Sequence, residues 1–198
     1  MRLDENQRAF IGYLLSLAKE GKEDRGALAE LRSGLGKAPG KMARVHKHVV
    51  PYLPEVHNNE HRWYYLIATL FGMHPKHKDP VHHESRGKKW KEVWTMGRAF
   101  RPLRAKSDSM EARFVALLNA HPDDLDSHLR HAVRLLKANE QPLDWFQLFK
   151  DLLQWDHPEG NVQLRWARDF YKSNIGETGS PTTTDDHPSL EKEDQHHE

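Results

Sequence analysis

Apolar residues in this chain recur at three- and four-residue steps, segment after segment, and nowhere settle into a strand-like alternation of useful length. That rhythm is the one an α-helix needs to bury a stripe, so it confines the fold to packed helices. The clearest segment runs from Leu125 to Lys137. At about 100° per residue, Leu125, Leu129, Ala132, Val133 and Leu136 fall on one face, and Arg130, Arg134 and Lys137 on the other. A buried stripe backed by cations suits a helix that packs on a scaffold and holds a polyanion. It equally suits an ordinary amphipathic helix with a solvated basic face.

The same reading applied along the chain predicts nine helices. Phe10, Tyr13, Leu14 and Leu17 mark a helix over 4–20, ended by Gly21; Leu28, Leu31 and Leu35 mark a second, punctuated by Gly34 and Gly36. A short third helix over 41–50 stops near Pro51 and Pro54. Trp63, Leu66, Ile67, Leu70 and Phe71 mark a fourth over 59–73, and His74–Lys89 reads as a polar loop broken by Pro75, Pro80 and Gly87. A fifth helix is expected over Trp90–Phe100. Pro102–Asp108 looks like a boundary, after which Ser107 or Asp108 caps a sixth helix, Pro122–Asp123 opens the seventh, Asp144 caps an eighth through Trp155, and Val162, Trp166 and Phe170 mark a ninth. The expected fold class is therefore all-α: two small helical bundles packed side by side, residues 1–104 and 105–173, followed by a disordered acidic tail, 174–198.

Composition sharpens this. The mean hydropathy of −0.87 is low, but six Trp, seven Phe and five Tyr must be buried somewhere, which argues against global disorder. There is no Cys, so disulfide and thiolate chemistry are excluded, as fits a reducing compartment. The first eight residues are too charged to begin a signal peptide, and no apolar run approaches membrane-spanning length, so a cytoplasmic location and no membrane partner are expected. The formal net charge of +1 conceals an asymmetry. Residues 174–198 hold seven acids and one Lys, a net of −6, leaving +7 on the rest of the chain. A basic body fits a polyanionic partner, although an acidic tail could compete for the same surface.

Catalytic signatures are weak. No Gly-x-Ser-x-Gly elbow or paired-carboxylate site stands out. The His cluster of His74, His77, His82, His83 and Glu84 lies in a Pro-broken segment rather than on a rigid element, so neither a metal nor another cofactor is expected. Gly34-Leu35-Gly36-Lys37 reads first as a helix terminator, though it would also present backbone N–H groups and Lys37 to a phosphate. The cations are more suggestive. With the bundles side by side, Arg98, Arg101, Arg113, Arg130 and Arg134 would line one groove that tracks a phosphate backbone without reading bases. The aromatic residues fall mostly on core stripes, so base stacking is not expected.

Taken in order, the segments Ala27–Arg32, Gly34-Leu35-Gly36, Gly97-Arg98-Ala99, Glu111–Leu118, His128-Leu129-Arg130, Val133–Leu136, Leu143-Asp144-Trp145 and Asp151–Trp155 resemble the CasB-type small subunit of the type I-E CRISPR surveillance complex, Cascade. The similarity spans roughly residues 5–173 and rests on order and spacing rather than on a single motif. It implies a helical, non-catalytic subunit present in two copies, contacting the crRNA-bearing backbone subunits and the large subunit. It also implies a basic surface that stabilises the R-loop formed by crRNA and target DNA, the displaced strand in particular. Carried over by motif, Arg32, Arg98, Arg113 and Arg134 become nucleic-acid candidates, followed by Arg130 and Lys37. The His-rich segment and the acidic tail have no counterpart in that pattern. The alternative is a helical protein–protein adaptor whose basic face docks an acidic partner.

Overall fold

The computed structural model describes residues 2–38, 41–55, 60–85, 88–157 and 161–172. The expected acidic tail, 174–198, lies outside them. Helix α1 (Glu5–Leu17) starts at a capping box: the Asp4 carboxylate accepts from the Gln7 N–H while the Gln7 side chain accepts from the Asp4 N–H. Helix α2 (Arg25–Ser33) is capped by Asp24, and α3 (Ala43–Val49) leads into a single 3-10 turn over Val50–Tyr52. Helix α4 (His61–Met73) is apolar nearly all round, and every residue from Leu66 to Met73 is buried. A helix with that composition belongs in the centre. It packs against α2, α3, α7 (Leu125–Ala138) and α8 (Trp145–Leu152).

Helix α5 (Met96–Arg104) lies on α6 (Asp108–Leu118) and α9 (Val162–Tyr171). The α5–α9 approach is close enough that a Cβ on Gly97 would collide with the Trp166 carbonyl oxygen, so only glycine fits there. Aromatic side chains concentrate in two nests. Phe10, Tyr64 and Phe149 meet where α1, α4 and α8 converge, with ring centroids 4.8–5.7 Å apart. Phe114 stacks on Phe170 at 4.2 Å and lies 5.3 Å from Phe100 where α5, α6 and α9 converge. The buried apolar side chains nevertheless form one continuous cluster through both nests.

The all-α expectation needs a correction. Within the segment read as a polar loop, β1 (Val81–Ser85) pairs antiparallel with β2 (Lys88–Glu92), Val81 opposite Glu92 and His83 opposite Trp90. The fold is mostly helical with one small hairpin. The strands escaped notice because Val-His-His-Glu-Ser and Lys-Lys-Trp-Lys-Glu carry too few apolar residues to alternate visibly. Accordingly the fifth helix begins at Met96, capped by the Thr95 hydroxyl, and not at Trp90. Ahead of the hairpin, residues 76–78 run beside Leu143: the Lys78 N–H donates to the Leu143 carbonyl and the Leu143 N–H to that of Lys76. His74, buried, bonds the Gln141 carbonyl at 2.7 Å, and burial lowers its pKa. Among the described residues no helix is long and apolar enough to cross a membrane.

Candidate functional site

Helix α7 forms as its sequence dictates. Leu125, Leu129, Ala132, Val133 and Leu136 are buried against the scaffold, leaving the opposite face to solvent. Three adjoining depressions follow that outer face. The first, about 190 Å³, is bounded by the loop after α2, by α3, α4 and α7, and is lined by Lys37, Tyr65, Thr69, Asp126 and Arg130. The second, about 150 Å³, is lined by Leu35, Met73, Arg130, His131 and Arg134. The third, about 460 Å³, opens between α5, α6 and α7, with Arg113, Arg134, His128 and His131 around Phe100, Ala116, Ala132 and Leu135. Arg130 belongs to the first two, and His131 and Arg134 to the last two. Lys37, Arg130, Arg134 and Arg113 therefore line, in that order, a path of three adjoining depressions.

Local chemistry explains the path. Gly36 has φ +76°, in the left-handed region, and a Cβ there would strike the Arg130 guanidinium. This glycine, in the turn that follows α2 and its C-cap Gly34, thus makes room for a cation from α7. Asp126 shares the first depression. Burial pushes its carboxyl pKa up, while Arg62 and Arg130 pull it back down. Arg62 is itself held in place, its guanidinium 3.9 Å from the Trp63 ring centroid and its Nη2 donating to the Pro122 carbonyl at 3.4 Å. Among the described residues no carboxylate forms an ion pair with Lys37, Arg113, Arg130 or Arg134.

The remaining sequence-predicted residues lie elsewhere. The Arg32 Nε donates to the Gly72 carbonyl at 3.0 Å, beside Met73 of the second depression, so Arg32 flanks the path while bracing the end of α4. Arg98 is turned inward, with 13% of its side chain exposed. It pairs with Glu92 at the end of β2 and lies 3.9 Å from Asp169 of α9, whose other oxygen accepts from the Thr95 hydroxyl at 2.6 Å. Hydrogen bonds from His83 and from Arg98 hold the Glu92 carboxyl below its ordinary pKa. Arg101 is half-buried on α5 and lines none of the three depressions.

Sequence reasoning passed over His128, His131 and Asp126 as site residues. The signal was present: His128 and His131 are three apart, on the same side of α7 as Arg134. Among the described residues no three His, Asp or Glu side chains converge in a metal-binding arrangement.

Comparison with known proteins completes the picture. The family described as CRISPR-associated protein Cse2 matches residues 27–171. A CRISPR-associated protein Cse2 from Thermus thermophilus is 35% identical over 170 residues, which cover 85% of this chain and 91% of that one. The crystal structure of CasB from Thermus thermophilus superposes with a TM-score of 0.67 at 31% identity, covering 85% of this chain and 99% of that one. A chain from a CRISPR RNA-guided surveillance complex shares the fold, with a TM-score of 0.62 at 24% identity over 84% of this chain and 91% of that chain.

Proposed function

The chain belongs to the CRISPR-associated Cse2 family, and on that premise we propose that it is the non-catalytic small subunit of a cytoplasmic type I-E Cascade complex, holding the displaced DNA strand by its phosphates. The observation that carries the reading is the succession of adjoining depressions lined by Lys37, Arg130, Arg134 and Arg113, none of them ion-paired among the described residues. In RNA-guided recognition, base pairing reads the sequence, and exchange of one duplex for another is close to balanced. A few kcal/mol from backbone contacts then decides whether the displaced strand stays apart. Arginine suits the task, since its planar fork matches two phosphate oxygens at once. Arg32 flanks this path and contributes after it, whereas Arg98 contributes to stability. Arg101 keeps its place as a site candidate from sequence, next in the chain to Phe100 of the third depression.

The partners follow from the same proposal: crRNA and target DNA, the Cascade backbone and large subunits, and a second copy of this chain. So does the arrangement as two bundles, 1–104 and 105–173, with 174–198 as a tail. In that arrangement α8, packed on α1 and α4, and α5, packed on α9, lock the halves together.

The test is Arg113→Ala combined with Arg134→Ala. Cascade reconstituted with this variant is expected to form R-loops more weakly on a matched target, with the variant's melting temperature unchanged. The free chain is expected to bind single-stranded DNA weakly, with affinity falling steeply as salt rises, and the double variant is expected to flatten that dependence by about 0.7 per lost contact. Unaltered R-loop formation would overturn the reading. An adaptor docking an acidic protein would leave no salt-dependent affinity for DNA.

A further inference from the structure

The third depression differs from the other two in what forms its floor. Phe100, Ala116, Ala132 and Leu135 make it predominantly apolar, while Arg113, Arg134, His128 and His131 stand around it. A path that served phosphates alone has no use for such a floor, because an apolar wall offers an anion neither hydrogen bonds nor hydration. At about 460 Å³ it is within the size range of small-molecule sites and more than twice the volume of the first depression. Ala116 and Ala132 face it with the smallest side chain that a helix carries without penalty, which keeps the space open. Two imidazoles, half-buried His128 and exposed His131, supply flat π-surfaces at its edge. Among the described residues no carboxylate lines it, in contrast to the first depression with Asp126.

These features match the parts of one nucleotide: an apolar, flat base and an anionic phosphate on either side. From this juxtaposition, and resting on the function proposed above, we infer that the cleft between α5, α6 and α7 receives an unstacked base of the single DNA strand. Arg113 and Arg134 hold the flanking phosphates, and His128 and His131 stack on or rim the base. Base stacking on flat side chains is tolerant of sequence, because every base has a π-face. The cleft thus grips a strand of any sequence, and it rejects a paired strand, whose bases are turned inward.

The test separates base from backbone. The full-length chain is titrated by fluorescence anisotropy with a short oligothymidylate and with an abasic strand of the same length and phosphate count. The intact strand is expected to bind about tenfold more tightly at the same salt. Ala116→Trp, which fills the cleft from its exposed side, is expected to abolish that difference and leave the abasic affinity as it was. Should Ala116→Trp lose its circular-dichroism signature of folding, His131→Ala carries the same comparison with a several-fold reduction of the difference. Equal affinity of the wild-type chain for the two strands would overturn the base site while leaving the phosphate path intact. Loss of affinity for both strands would overturn the proposed function and the base site together.

Discussion

Arg98 and Arg134 look alike in the sequence, each a cation beside apolar residues at helical spacing, yet the fold gives them opposite fates. Around Arg98 the end of the hairpin brings Glu92, and α9 brings Asp169 from 71 positions further along the chain. Along α7 no carboxylate pairs with Arg134, Arg130, Arg113 or Lys37 among the described residues. The first corner spends its positive charge on holding α5, α9 and β2 together; the second keeps it facing solvent. A cation's identity therefore says little about its role until its carboxylate neighbours are known, and those come from distant segments.

The sharpest way to break the comparison is to remove Arg98. Arg98→Ala removes the cation beside both Glu92 and Asp169, and a loss of about 1–3 kcal/mol in urea unfolding is expected. The salt dependence of DNA binding should stay that of the wild type. A flattened salt dependence with unchanged stability would reverse the roles assigned to the two corners.

Gly36→Ala probes the other side. It forces a left-handed φ on a residue with a Cβ, at a cost of about 1 kcal/mol, and displaces the Arg130 guanidinium. DNA affinity is expected to drop several-fold, beyond what the small loss in melting temperature accounts for. A variant that binds as wild type would place Arg130 outside the path.

The smallest expected effect is in pH. The folded pKa of Glu92 is depressed by His83 and Arg98, so its contribution to stability is complete above the unfolded value of about 4.3 and is lost as the pH falls through the lower folded value. Melting temperatures taken from about pH 6 down to pH 3 should therefore decline less steeply for Glu92→Gln than for the wild type. Parallel curves would mean that the Glu92–Arg98 contact does not persist in solution.

The helical elements could be read from periodicity because each stripe is a local property. Phe10, Leu14 and Leu17 on α1, and Val162, Trp166 and Phe170 on α9, are buried as their spacing requires, while Tyr13 of the same predicted stripe is half-buried. The hairpin could not, since two five-residue strands with one apolar residue each leave no period to detect. Of the site, Arg113, Arg130, Arg134 and Lys37 could be read as surface cations, but their alignment depends on how α2 and α7 sit on α4 and how α6 sits on α7. His128 and His131 were overlooked for the opposite reason. Fifteen His residues draw attention to the dense cluster between 74 and 83, where His74 is buried and hydrogen-bonded within the fold.

Helix α4 has one more consequence. It is buried along most of its length, and both α7 and α2, which precedes the Lys37 loop, are packed upon it. The backbone that carries Arg130 and Arg134 is therefore fixed by the fold itself, ahead of any strand the proposed function would bring. Little chain entropy remains to be surrendered on contact, and what is left to lose is the freedom of a few long side chains. On the proposed function, a surface so prepared would engage a strand loosely and quickly, with salt rather than refolding setting how long it stays.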